Sequence, residues 1–195
     1  MTGAAAGKAA LRTLVLERRS TLGARDLAAD ARMTADAVLG LSEVASARCV
    51  ASYVSIGSEP GTRHLLDVLA ARDVLVLAPV LLADGDLDWA EYDGPGGLEP
   101  AARGLLEPVG PRLGLEAVAT ADVVLTPGLA VDRTGMRLGQ GGGCYDRALG
   151  RVPVGTFTCT LLYDGELVEE VPSGPHDRPV TAAVTPSGVT RLRRG

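Results

Sequence analysis

Two short, uncharged and largely apolar runs, separated by one amphipathic stretch, constrain this chain more than any other feature. They are Cys49-Val-Ala-Ser-Tyr-Val54 and Val74-Leu-Val-Leu-Ala78. A strand that faces water on one side alternates apolar and polar residues, whereas a strand covered on both faces does not. Between the runs lie the turn-prone Gly57-Ser-Glu-Pro-Gly61 and a helical stretch from Thr62, a candidate cap, to about Arg72. Strand, helix and strand in that order predict a parallel βαβ unit, with Pro79 ending the second strand. Ala121-Asp-Val-Val-Leu-Thr126 supplies a third core strand closed by Pro127-Gly128, and residues 152–160 and 181–185 supply closing strands.

The flanking segments carry a helical rhythm. Residues 8–22 place Leu11, Leu14, Val15 and Leu22 at helical spacing, with Arg18 and Arg19 on the other side. After Gly23, a stop signal, Asp26 to Ala47 repeats the pattern with Leu27, Ala31, Val38, Leu41 and Val44 as a second, longer helix. Asp86 to Tyr92 alternates as a strand does, Gly94 to Pro111 reads as a long surface connection, and a helix is expected from Gly142 to Leu149. No internal repeat or low-complexity tract interrupts the chain. The expectation is one α/β domain over 1–195, with an N-terminal helical pair at about 8–47.

Charge narrows the function. Nineteen basic residues against 24 acidic ones give a net charge of −5, so no global field draws in nucleic acid or an anionic membrane. Any anion must be held by a local constellation. Three cysteines, Cys49, Cys144 and Cys159, are widely spaced without a CxxC pair; they read as reduced thiols rather than a disulfide framework or a zinc site. No apolar run approaches the ~18–20 residues needed to span a bilayer. Lys8, Arg12 and Glu17 break the N-terminal segment as a signal peptide. The expected setting is therefore cytoplasmic.

Four features can carry chemistry. In Arg137-Leu-Gly-Gln-Gly-Gly-Gly-Cys-Tyr-Asp-Arg147, four glycines in five positions bare backbone amides just before a helix start, which suits phosphate. Arg137 adds a cationic fork, and Asp146 can hold a magnesium ion bridging phosphates. The alternative is a flexible turn with a capping Asp, since neither GxxxxGK[ST] nor a clean GxGxxG is present. Lys8, the single lysine of the chain, and Arg12 share a helical face; they form either a polyphosphate clamp or a solvated face. Glu59 follows the first strand, where open α/β sheets bind ligands, or is an ordinary surface acid. His176-Asp177 sits in a Pro-bounded loop and reads by itself as turn chemistry. No Ser/His/Asp elbow, HExxH or cysteine-nucleophile signature is present.

Together these residues carry a resemblance. The run Pro127 to Arg147 resembles the signature of the 5-formyltetrahydrofolate cyclo-ligase (5,10-methenyltetrahydrofolate synthetase) family. Lys8 to Arg12, Tyr53-Val-Ser-Ile-Gly-Ser-Glu-Pro-Gly-Thr62 and Val171-Pro-Ser-Gly-Pro-His-Asp177 are similar to three further landmarks of that family, in the same order. The resemblance implies a three-layer α/β/α sandwich with a mostly parallel, Rossmann-like sheet of the NagB/RpiA/CoA-transferase type. It also implies ATP- and Mg2+-dependent closure of 5-formyltetrahydrofolate to 5,10-methenyltetrahydrofolate by a monomer acting on small molecules, with neither nucleic acid nor membrane as partner.

By the same resemblance Lys8, Arg12 and the loop Arg137, Leu138, Gly139, Gln140, Gly141, Gly142, Gly143, Cys144 and Tyr145 hold ATP. Val54, Glu59, Gln140 and Cys144 contact the folate, Asp146 and Asp177 bind magnesium, and Arg137 and Asp146 are the catalytic residues. Trp89 is a candidate to line the folate site, while Arg103 and Arg112 read as scattered surface arginines, with contact to a glutamate tail as the alternative. Three positions depart from the family pattern: Cys144 stands where an aromatic is common, Gln140 where a basic or aromatic residue often stands, and Gly142 where some members have lysine. The alternative reading is a noncatalytic nucleotide- or folate-binding relative on the same scaffold.

Overall fold

The strand–helix–strand unit forms the middle of a larger sheet. The computed structural model describes residues 3–192. In chain order, α1 (Gly3–Ser20), α2 (Ala24–Leu39) and α3 (Ser42–Ala45) precede β1 (Cys49–Ser52), α4 (Arg63–Ala70), β2 (Leu75–Leu81) and β3 (Leu87–Glu91). A hairpin of β4 (Leu98–Pro100) and β5 (Leu106–Pro108) leads to β6 (Val123–Pro127), β7 (Ala130–Asp132), β8 (Arg137–Leu138) and α5 (Cys144–Arg151). Then follow β9 (Phe157–Leu161), β10 (Leu167–Val168), β11 (Ala182–Thr185) and β12 (Gly188–Arg191).

Seven strands line up as β12-β11-β9-β6-β1-β2-β3. The inner five run parallel, and one antiparallel strand closes each edge. Every residue of β1 and β9 is buried, which requires cover on both faces and explains why β1 reads as a largely apolar run. The expected mostly parallel α/β sandwich is what forms. From β1 the chain moves outward to β2 and β3, then returns to lay β6 on the opposite side of β1. That reversal leaves a crevice beyond the carboxyl ends of β1 and β6.

A second, smaller sheet, β10-β7-β8, carries its own apolar cluster. Leu129, Ala130, Leu138 and Val171 pack with Val15 of α1, supported by Leu11, Met136 and Val168. The buried Asp132 holds this sheet's turn, its carboxylate accepting the amides of Thr134, Met136 and Val171 and the Thr134 hydroxyl. This cluster seats α1 beside the crevice.

Several sequence expectations need correction. The helix expected over Asp26–Ala47 breaks at Gly40, because Leu41 is extended (φ −71°, ψ 134°) before α3 begins. Thr62 precedes α4 but does not cap it; its hydroxyl donates to the Tyr53 carbonyl at 2.9 Å and accepts the Ser55 amide, tying down the β1–α4 loop. Pro79 does not end β2. β1 pairs only with Leu75–Leu77, and two residues beyond Pro79 the Leu81 amide already turns to Glu107, so the proline's missing N–H costs no ladder bond. The surface connection contains the β4–β5 hairpin. The strand expected from Val152 starts only at Phe157, after the turn made by Pro153 and Gly155. The helix expected from Gly142 starts at Cys144, after Gly143 in the left-handed region (φ 68°).

Candidate functional site

At the crevice opens a cleft of about 1050 Å³. Tyr53 and Val54 enter it from the end of β1, Pro127 and Gly128 from the end of β6, and the whole of Arg137–Asp146 from the β8–α5 loop. All the sequence-predicted site residues meet there: Lys8, Arg12, Val54, Glu59, Arg137 through Asp146, and Asp177 all line it. Trp89 does not; it is fully buried in the main core. Arg103 lines the cleft, whereas Arg112 bonds the Pro108 carbonyl and is absent from the lining. Among the described residues no helix is long and apolar enough to cross a membrane.

One face of α1 delivers three cations. Lys8, Arg12 and Arg19 are four and eleven residues apart, which at 100° per residue puts them within about 40° of one another. Arg12 Nε donates to the Gly139 carbonyl at 2.9 Å, and Lys8 Nζ meets Asp177 Oδ2 at 2.5 Å. Arg19, expected on the solvated side, is 2% exposed. It forks onto both oxygens of the equally buried Glu166 at 2.7 Å, donates to the Gly128 carbonyl at 2.7 Å, and lies 5.2 Å from the centroid of the Tyr163 ring. Leu14, expected on the packed side, is 64% exposed. Sequence reasoning missed Arg19 because it followed the leucines; the helical spacing from Lys8 was the available signal.

The loop opposite is built for close approach. Gly141 and Gly143 hold φ of 105° and 68°, a region costly for residues with a Cβ. At Gly128 a Cβ would stand 2.5 Å from the Thr160 methyl and 3.4 Å from Arg137 Cγ. Arg137 is 5% exposed. Its Nη1 donates to the Pro127 carbonyl and its Nη2 to Asp146 Oδ1, both at 3.1 Å, while its Nε has no partner.

Two carboxylates stand on the same side. Asp146 accepts Arg137 and the Arg178 amide, the latter at 3.2 Å, so the chain neighbour of Asp177 is tied to Asp146. Asp177 also accepts the Gly174 amide at 2.6 Å. No cluster of three or more His, Cys, Asp or Glu able to hold a metal occurs among the described residues. Two hard carboxylates beside a glycine-rich loop nevertheless fit Mg2+, which takes one or two carboxylates and fills its octahedron with phosphate and water oxygens.

Burial opposes ionisation of Asp177, but the Lys8 ammonium and the Gly174 amide outweigh it and hold its carboxyl below the usual range. A carboxyl lowered on folding stabilises the fold above its unfolded value of about 4 and loses that contribution as pH falls through the folded value. Lys8→Met should therefore flatten the acid limb of the stability curve below about pH 4, with the pair worth about 1 kcal/mol near neutrality. Melting temperatures of both proteins across that range test this; parallel acid limbs would refute it.

Across the cleft lies a less charged wall. Glu59 Oε2 accepts the Ile56 amide at 3.1 Å, and burial pushes its carboxyl up against the opposing pull of that amide and of Arg19. Tyr53, Tyr145 and Tyr163 surround it; burial drives the first two well above the usual phenol value and Tyr163 up to about 12. The arrangement thus has a cationic, amide-lined half suited to polyphosphate and a carboxylate–tyrosine half suited to a polar heterocycle.

Comparison with known proteins agrees with this geometry. The sequence model of the 5-formyltetrahydrofolate cyclo-ligase family matches residues 4–186. The chain is 40% identical over 192 residues to a 5-formyltetrahydrofolate cyclo-ligase of Mycolicibacterium smegmatis, covering 95% of this chain and 97% of that one. It is 30% identical to a 5-formyltetrahydrofolate cyclo-ligase of Escherichia coli, covering 90% and 98%. Among solved structures it resembles 5,10-methenyltetrahydrofolate synthetase of Aquifex aeolicus, with a TM-score of 0.82, 30% identity, and coverage of 96% of this chain and 94% of that one. With such a match across nearly its whole length, the chain belongs to the 5-formyltetrahydrofolate cyclo-ligase family.

Proposed function

We propose that this protein converts 5-formyltetrahydrofolate to 5,10-methenyltetrahydrofolate, using ATP and releasing ADP and phosphate. The observation that carries the proposal is a single cleft whose two halves match the two substrates. The N5-formyl group is amide-like and a poor electrophile. Its oxygen takes the γ-phosphoryl group as ADP leaves, N10 then attacks the formyl carbon and loses its proton, and departure of phosphate leaves the cyclic methenyl cation.

Little covalent work falls to the protein in such a transfer; it positions the reactants and neutralises charge. Lys8, Arg12, Arg137 and the amides of Gly139–Gly143 are the groups for the triphosphate. Arg137, held between the Pro127 carbonyl and Asp146, would neutralise charge developing on the transferred group. Asp146 and Asp177 would hold Mg2+, which would supply neutralisation of the phosphate charge when bound. Val54 and Glu59 face the folate, Glu59 accepting its N–H donors, and Gln140 and Cys144 border both substrates. As proposed, the enzyme acts as a cytoplasmic monomer.

Purified protein mixed with 5-formyltetrahydrofolate, ATP and magnesium should develop the near-ultraviolet band of the methenyl product, and omission of either ATP or metal should abolish it. Folded protein that gives no band would sink the proposal in favour of a binding-only relative.

A further inference from the structure

Three tyrosines stand around Glu59, and their hydroxyls are not equivalent. Tyr53 Oη donates to the Pro60 carbonyl at 2.6 Å, and Tyr163 Oη donates to the Glu59 carbonyl at 3.1 Å. Both are spent on the backbone of the β1–α4 loop and hold Glu59 in place. Tyr145 Oη is different. The residue is 7% exposed and lines the cleft, yet its hydroxyl has no hydrogen-bond partner. Buried hydroxyls are almost always paired, and one left unpaired in the free protein calls for a reason. Its ring is fixed from below by packing in the main core and from the side by Arg137, 5.8 Å from the centroid. The hydroxyl therefore cannot turn away to find water without losing those contacts.

Its surroundings identify what it waits for. Tyr145 is the second residue of α5, directly after the glycine-rich loop, and is buried. Tyr145 and Glu59 line the same cleft, and the carboxylate opposes ionisation of the phenol. Among the described residues Glu59 Oε1 has no partner, and Oε2 has only the Ile56 amide. A carboxylate at this place repels a phosphate, whereas an uncharged ring that offers an N–H to the carboxylate and a C=O to the phenol suits the pair. The pterin of a reduced folate carries both groups side by side.

We propose that the Tyr145 hydroxyl is a folate contact, donating a hydrogen bond to the pterin carbonyl opposite Glu59, and takes no part in holding the nucleotide. The assignment rests on the proposed cyclo-ligase reading and moves Tyr145 from the nucleotide to the folate. It also accounts for the orphaned hydroxyl, which trades stability of the free protein for affinity once the ring arrives.

Tyr145→Phe tests it, because phenylalanine keeps the ring, its packing and its place beside Arg137. The folate KM should rise about ten-fold, the ATP KM should stay within about two-fold, and the melting temperature of the free protein should be unchanged or higher, since an unpaired buried hydroxyl has been removed. A residue that merely packs would leave both KM values and kcat unmoved, and that result overturns the assignment while leaving the cyclo-ligase reading intact. A rise in the ATP KM with an unchanged folate KM overturns it as well, in favour of a nucleotide contact. Wild-type protein that forms no methenyl product overturns the cyclo-ligase reading and the assignment with it.

Discussion

Glu166→Ala should cost about 3–5 kcal/mol of folding stability, since it leaves the Arg19 guanidinium buried without its counter-ion. Arg19 and Glu166 are 2% and 1% exposed. The carboxylate also accepts the Tyr163 amide at 2.8 Å, so its loss strands a backbone donor too. For a domain of this size each kcal/mol shifts the melting temperature by about 2–4 °C, which places the expected drop at about 6–20 °C. Replacing both partners, as in Arg19→Met with Glu166→Leu, should recover much of that loss, because two apolar side chains of similar volume need no counter-charge. Activity should not recover with it. Arg19 also holds the Gly128 carbonyl at the end of β6 and draws α1, with Lys8 and Arg12, against the cleft. The stable double variant should therefore show a raised ATP KM. A single variant that melts within about 1 °C of wild type would show that the pair contributes little.

That same pair marks the boundary of what the amino-acid order reveals. The parallel core was legible because its signal is local: β1, β2 and β6 are continuous apolar runs, and only strands covered on both faces are written that way. The glycine-rich half of the cleft was legible for a related reason, since its glycines, Arg137 and Asp146 lie within ten residues of one another. β7, β8 and β10 are two or three residues long, too short to show any period, and β12 is an edge strand paired only with β11. Their sheet exists because Leu129, Leu138 and Val171 find Val15 of α1, a contact that no window of sequence contains. Arg19 and Glu166 lie 147 positions apart, so the exposed-looking arginine of a helix end could not announce its buried partner. The helix pattern also misled: Leu14 faces water, because α1 packs through Leu11, Val15 and its stripe of cations. Across the cleft Glu59 could be named, but the distinction among Tyr53, Tyr145 and Tyr163 depends on which hydroxyls the fold has already occupied.

Asp146→Asn tests the metal assignment most directly, and its expected effect on turnover is the larger of the two. Asparagine matches the shape of the carboxylate, and its amide oxygen can still accept Arg137 or the Arg178 amide, so the fold and the loop should persist. What it removes is charge at the point where Mg2+ and the phosphates would meet. Loss of one preorganised charged group from a phosphoryl-transfer site lowers kcat by about 10²–10³-fold. The magnesium concentration for half-maximal rate should rise as well, leaving Asp177 as the remaining carboxylate. Metal-free ATP should bind no more weakly, and even more tightly, because one negative charge facing the triphosphate is gone. That opposition separates a metal ligand from a structural partner of Arg137: a residue that only holds Arg137 in place would weaken nucleotide binding with and without metal alike. Full turnover with an unchanged magnesium requirement in the Asp146→Asn protein would remove Asp146 from the metal site, and Asp177 with only solvent and phosphate oxygens would then have to hold the ion alone.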